Sequence, residues 1–570
     1  MRPVMSAENS GRRAWIAAGL VALAVTAMVW MHLAATPPQP HGVHGDEYVE
    51  HAHRLVLARA VQEGMWRRPL ELLALADGDY PPGIHAFGVA VGGVLGHEAE
   101  RVVWTWMGWV AVLGLAMAWI ASSLGLGDRG RAAAFAAAFL IPSMPAAATR
   151  YHFDLPMLAL CWAALAAAMA SWGAPRAGQR VVGGALVAVL AFGALMMKWT
   201  AAPFLLCMLG AAALAPGRAG WTRRAQGFGV TAVVLGILLA AFLSVTTRSL
   251  DSMSTTFTVG GGPDLSASYL PEPIARALRP MATQAPWLPR WLTFYGLSTF
   301  FMVLSPAVSL AFAALAAVWL RRDRRGWALF ALIGGGGLAF LTLNVPIADC
   351  RFILPLMPIP ALCAVLGWTT LAPRTRRGVA VAAVVLGLAV AGDFHLRTAP
   401  EPRRASPLWS SQLANHGGSV WQRGLGLASS TNDRGWVRRD EELDHRRPFR
   451  EEIWQAWTHC GPRIGVSMGL LTWGADRYWW NYRASLERTR GAPPDRAWPS
   501  VSEVCEMQDP AAHAPPVLFL RAADATDRSL PPCLAARAGT WDWEGFVADP
   551  GGGDGAAVWA SPAERGCLSP

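Results

Sequence analysis

Lysine is almost missing from this 570-residue chain, where Lys198 stands alone against 48 arginines. Charge of either sign is scarce too, at 15% of residues against about 25% in ordinary soluble proteins. Together with 53% hydrophobic residues and a mean hydropathy of +0.29, this scarcity excludes an ordinary soluble enzyme and marks a polytopic membrane protein. CxxC spacing is absent, which makes a zinc site the poorer use of the cysteines. The glycine run Gly260-Gly261-Gly262-Pro263-Asp264 lacks both the Lys-Ser/Thr and the strand–helix setting of a phosphate loop, and reads as an outer loop. A pI of 9.6 and a net charge of +10 come without a nucleic-acid motif. Arginine at loop ends and in the C-terminal region accounts for them, so no nucleic-acid partner is expected.

What the chain does have is apolar length. About 20 apolar residues at 1.5 Å rise cross the roughly 30 Å hydrocarbon core. Runs at 14–35, 102–122, 132–149, 155–172, 181–197, 199–215, 228–246, 291–320, 327–345, 352–372 and 378–394 predict about eleven spans. The first run exceeds the core of a signal peptide and is read as a retained anchor. Arginine marks every second connection: Arg12 and Arg13, Arg129 and Arg131, Arg176 and Arg180, Arg223 and Arg224, Arg321 to Arg325, and Arg374 to Arg377. Short Arg-rich loops stay cytoplasmic. The N-terminus is therefore expected inside, with 46–82, 247–290 and everything after about residue 395 outside. The arginine bias suggests a GC-rich bacterial genome and no more; the location expected is the bacterial inner membrane. The fold class expected is mainly α: a polytopic helical bundle over 1–395, then a small extracytoplasmic α/β domain over 396–570.

In that outer domain, 463–468 and 516–520 read as buried strands, 475–488 as a helix, and 541–548 and 556–560 as edge strands. Cys460, Cys505, Cys533 and Cys567 fall there and are disulfide candidates, with three possible connectivities. Cys161, Cys207, Cys350 and Cys363 lie in or beside spans and read as small apolar fillers. Tryptophans near span ends, among them Trp30, Trp104, Trp106, Trp199 and Trp368, read as headgroup anchors.

The polar residues that need explaining share the outer side. Asp46, Glu47 and Tyr48 follow the first run by about ten residues, among His41, His44, His51 and His53. They open an amphipathic stretch suited to the membrane surface, and the histidines with the carboxylates could hold a divalent metal, a question left open. Tyr80-Pro81-Pro82-Gly83 precedes an apolar run too short to cross, read as a re-entrant or interfacial helix. Asp154, in Arg150-Tyr151-His152-Phe153-Asp154, sits between two spans joined by almost no loop. A carboxylate at that depth is costly and calls for a partner such as Arg150 or a hydrated cavity, although a helix N-cap is the plain alternative. Lys198 interrupts a 35-residue apolar stretch and either contacts a phosphate or snorkels from a span end. Arg351 stands at another outer span entrance, where a guanidinium can grip phosphate or pair with Asp349.

In series, Asp46-Glu47-Tyr48, Tyr80-Pro81-Pro82, Gly96 to Arg101, Arg150 to Asp154, Lys198, and Arg351-Phe352-x-Leu354-Pro355-x-x-Pro358 resemble the dolichyl-phosphate-mannose-protein mannosyltransferase-like family of C-type membrane glycosyltransferases, which includes the aminoarabinose transferases. The resemblance covers about 360 residues, and the C-terminal domain matches in placement alone. It implies transfer of a sugar from a polyprenyl-phosphate donor to a lipid, glycan or protein acceptor outside the cytoplasm. Asp46 would act as general base, Arg351 and Lys198 would stabilise the departing phosphate, and Glu47 and Asp154 would orient the acceptor or hold a cation, with Tyr48, Tyr80 and Arg150 binding substrate. Rival readings are a transporter or flippase and a non-catalytic envelope assembly protein.

Overall fold

Inside a bilayer every backbone polar group must pair within its own segment, and the apolar runs meet that demand as helices. The structure is a computed structural model that describes residues 5–35, 46–76, 81–149, 151–214, 220–246, 306–322, 326–344, 350–395, 469–470, 517–522, 525–526, 530, 542–547 and 555–560. Its helices are α1 (Met5–Ala35), α2 (Asp46–Gln62), α3 (Pro69–Ala76), α4 (Gly83–Leu95), α5 (Ala99–Val103), α6 (Met107–Ser123), α7 (Asp128–Leu140), α8 (Ser143–Ala147), α9 (Asp154–Ser171), α10 (Ala177–Met197), α11 (Ala201–Leu214), α12 (Trp221–Leu243), α13 (Pro306–Arg322), α14 (Trp327–Asn344), α15 (Pro358–Thr369) and α16 (Pro373–His395). A 3₁₀ helix, Cys350–Leu356, leads into α15. The strands are β1 (Gly469–Leu470), β2 (Val517–Ala522), β3 (Asp542–Val547) and β4 (Gly555–Ala560).

The described elements fall into two compact units. The first holds α1, α3, α4 and α6 to α16; the second holds α2, residues 97–99 and the four strands.

In the first unit α9 is the buried axis, packed against α6, α10 and α11 and enclosed from Asp154 to Ala168. Lipid tails are as apolar as leucine, so close packing of small residues must hold such helices together. A Cβ on Gly184 of α10 would meet the Gly227 carbonyl of α12 at 2.9 Å, and Thr231 of α12 donates to the Gly184 carbonyl at 3.0 Å. Outward residues are apolar instead of polar, as Leu20, Val182, Leu206 and Ile237 show. Among the described residues, five helical stretches have the length and hydropathy of a membrane span: 11–31, 101–123, 154–171, 177–197 and 221–243. Shorter apolar helices occupy 83–95, 201–214, 327–341 and 353–369. The run 132–149 is no continuous span: α7 stops at Leu140, before Ile141-Pro142, because a residue preceding proline is driven out of the helical region.

Successive helices alternate direction. Arg180 at the start of α10 bonds Gln226 at the start of α12 at 3.0 Å, and Arg322 at the end of α13 donates to Thr370 just past α15 at 2.8 Å. Gly326 before α14 lies against Leu124 just past α6. One end of the bundle therefore collects the arginines of the even connections, and the other begins α6, α9 and α11.

In the second unit the strand order is β1-β2-β4-β3, with β1–β2 parallel and the other pairs antiparallel. The stretch 556–560, expected at an edge, is an inner strand, because β4 pairs with both β2 and β3. The 463–468 and 475–488 stretches and the four outer cysteines lie outside the described residues.

Candidate active site

Three side chains from two hairpin turns meet at the arginine-poor end of the bundle. Asp154 begins α9 and Lys198 caps the end of α10, and Lys198 Nζ reaches Asp154 Oδ1 at 2.9 Å. His152 Nδ1 lies 2.9 Å from Asp154 Oδ2. Side-chain exposure is 5% for Asp154 and 9% for each partner, so this is a buried ionic group and not a solvated rim pair. The ammonium also sits 4.4 Å from the centre of the Phe153 ring, within cation–π range.

The backbone around the group is fixed by buried donors. Trp106 Nε1 donates to the His152 carbonyl at 3.1 Å, and Tyr151 Oη donates to the Ile84 carbonyl at 2.9 Å. The second bond ties the site to α4, whose first residue, Gly83, abuts the end of α10: a Cβ there would meet the Met196 carbonyl oxygen at 2.6 Å. Pro81 and Pro82 are buried at this junction, and Pro82 precedes the first turn of α4. The proline pair thus seats α4 against α10.

Several expectations change here. Asp154 meets Lys198 and His152 among the described residues; Arg150, the partner expected from the sequence, lies outside them, as does Tyr80. Asp154 is the first helical residue, with Phe153 at the cap, so it is not an N-cap. Lys198 is 7% exposed and folds onto Asp154, so it does not snorkel. Trp106 and Trp199 are core residues, 0% and 6% exposed, because their rings fill space beside Tyr151 and Phe242. Trp30 and Trp104, stacked at 6.0 Å and partly exposed, fit the headgroup-anchor reading. His152, Tyr151 and Trp106 were not singled out from the sequence as site-builders. The signal available was the aromatic and histidine density of Arg150 to Asp154.

Arg351 lies in the 3₁₀ helix that leads into α15. That segment is held to α9 where Trp162 Nε1 donates to the Pro355 carbonyl at 2.8 Å. Its backbone therefore enters the bundle from the end where α9 begins.

In the second unit, Asp46, Glu47 and Tyr48 form the first turn of α2, where carboxylates are favoured by the helix dipole. Farther along α2, fully buried Arg54 donates to His51 Nδ1 at 3.2 Å and to the His97 carbonyl at 2.8 Å. Burial, aided by the Arg54 charge and opposed by Glu98, holds the His97 imidazole below its ordinary 6.5. Arg54 anchors the helix that carries the paired carboxylates, a role not read from the sequence. Among the described residues no three His, Cys, Asp or Glu side chains group as metal ligands.

Comparison with solved structures identifies the fold. The crystal structure of ArnT from Cupriavidus metallidurans bound to undecaprenyl phosphate superposes with a TM-score of 0.56 at 15% identity, covering 96% of this chain and 98% of that one. The apo state of the same protein gives 0.55 at 15% identity, over 97% and 100%. No family model and no curated protein sequence matches the chain. The likeness is of fold, over nearly the whole of both chains.

Proposed function

We propose that this chain is a multi-pass membrane glycosyltransferase of the C-type class, moving a sugar from a polyprenyl-phosphate carrier to an acceptor outside the cytoplasm with inversion. The observation that carries this reading is the buried Lys198–Asp154–His152 group at one mouth of a bundle that has the fold of an undecaprenyl-phosphate-binding protein.

In the proposed reaction Asp46 removes the acceptor hydroxyl proton as that oxygen bonds to the anomeric carbon. The bond from the anomeric carbon to the lipid phosphate oxygen breaks, and its electron pair leaves with the phosphate. Lys198 and Arg351 stabilise that developing charge, which fixed cations in a water-poor site do well because they need no reorganisation. Asp154 and His152 contribute by holding the ammonium still. Glu47, Tyr48, Tyr80 and Arg150 orient donor and acceptor. The convergence of Asp46 and Arg351 with this group is part of the proposal, as are the cytoplasmic N-terminus, the bacterial inner membrane, the 396–570 outer domain and its disulfides. A divalent ion could take ligands from the stretch around Asp46, and turnover in chelator decides it.

A transporter or flippase would place charges along a mid-membrane path. The Asp154–Lys198 pair instead lies at helix ends. The test is turnover of a radiolabelled polyprenyl-phosphate sugar by the purified full-length protein. Asp46→Asn should lower transfer by about 10²- to 10⁴-fold, the usual contribution of a positioned base. Wild-type turnover in a folded Asp46→Asn preparation would refute the assignment, and lipid movement without sugar transfer would favour the transporter.

A further inference from the structure

A cleft of about 450 Å³ opens among α1, α7, α13, α15 and α16, away from the candidate active site. That volume falls within the roughly 300–1,000 Å³ of small-molecule sites. Its walls are apolar and built from small residues: Ala14 and Ala18 on α1, Ala136 on α7, and Ala383 and Gly387 on α16, with Phe312 of α13 closing one side. Three arginines line it as well, Arg129, Arg376 and Arg377, and among the described residues no acidic residue does. Arg129 belongs to the first turn of α7 and Arg376 and Arg377 to the first turns of α16, so the charge is confined to the arginine-rich end. The nearest acid in sequence, Asp128, is engaged by Arg131 at 3.4 Å.

Arg376 is held in place. Its Nη2 donates to the Leu371 carbonyl at 2.8 Å, its guanidinium lies 5.8 Å from the Trp368 ring centre, and Trp368 Nε1 returns a bond to the Arg376 carbonyl at 2.8 Å. Arg376 Nε is buried and has no hydrogen-bond partner among the described residues. Leaving such a donor unmet is costly unless an acceptor from outside the chain arrives. The N-termini of α7 and α16 add partial positive charge at the same place.

An apolar trough with cations at one end matches an anionic phospholipid in both halves. We infer that this cleft binds one phospholipid with a phosphate-bearing anionic headgroup, its chains among α1, α7, α13 and α16 and its headgroup at Arg129, Arg376 and Arg377. In the proposed topology, which follows the loop-charge rule, the arginine-rich end is the cytoplasmic one. The lipid therefore comes from the leaflet opposite the candidate active site and is separate from any sugar carrier bound there.

Native mass spectrometry of the delipidated full-length protein, titrated with phosphatidylglycerol or phosphatidylcholine, tests this directly. One phosphatidylglycerol should be retained in preference to phosphatidylcholine. Arg129→Ala/Arg377→Ala, at two exposed residues, should weaken phosphatidylglycerol retention by about fivefold per arginine, roughly 30-fold together. Ala136→Trp/Ala383→Trp should block both lipids by filling the trough. Equal retention of the two lipids by the native protein would overturn the inference, as would an unchanged preference in the arginine variant. So would a dimer that the tryptophan variant dissolves, which would assign the cleft to a second copy of the chain.

Discussion

Removing the Lys198 ammonium while leaving Asp154 in place should be among the most damaging single changes in the bundle. At 2.9 Å and an effective dielectric of about 20, the gross attraction of the pair is about 6 kcal/mol. Desolvation offsets much of this, so the pair adds little over a neutral filling, but an abandoned buried carboxylate costs about 3–5 kcal/mol. Lys198→Met and Asp154→Asn should each destabilise the protein strongly. The double variant should recover most of the loss, giving a coupling energy of about 3 kcal/mol or more. Thermal unfolding of detergent-purified full-length protein can be followed with a thiol-reactive dye, because Cys161 and Cys363 are buried free thiols that become reactive when the bundle opens. The double variant should remain folded yet lose sugar transfer, separating the stability of the pair from its chemistry. A Lys198→Met protein that melts with the wild type, or a cycle with no coupling, would refute the buried-pair argument.

Gly83→Ala should cost about 1–3 kcal/mol, since the new Cβ must displace backbone at the end of α10; an unchanged melting temperature would show that α4 is not seated there. Thr231→Val should cost about 0.6 kcal/mol, the usual worth of an interhelical side-chain bond in membranes, and a much larger loss would point to misfolding. His97 carries a pH prediction. Its folded value lies below 6.5, so between that value and 6.5 the unfolded segment binds more protons, and the stabilisation is complete above about 6.5 and is lost as pH falls. Hydrogen exchange in α2, corrected for intrinsic rates, should quicken on acidification, and His97→Phe should flatten the dependence.

The site was partly legible because membrane burial makes ionised residues conspicuous. Asp154 and Lys198 stand out against apolar surroundings, and Asp154 calls for a partner on desolvation grounds alone. That each is a partner of the other was hidden, since 44 residues and a helical hairpin separate them. His152, Trp106 and Tyr151 were hidden for another reason: they act through a ring nitrogen, an indole N–H and a phenol, groups that at a span end read equally well as interfacial anchors. The prolines before Gly83 were legible as a constraint but not as the device that packs α4 on α10.

The sequence by itself determined the helical class, the alternation of arginine-rich and arginine-poor connections, and the residues whose charge needed an explanation, because hydropathy and loop charge are local quantities summed over short windows. Only the tertiary structure decided that Lys198 turns inward to Asp154, that β4 is an inner strand, and that five helices leave an apolar cleft with arginines at one end. Those outcomes depend on side-chain volumes and hydrogen bonds between segments far apart in the chain, which no local pattern contains.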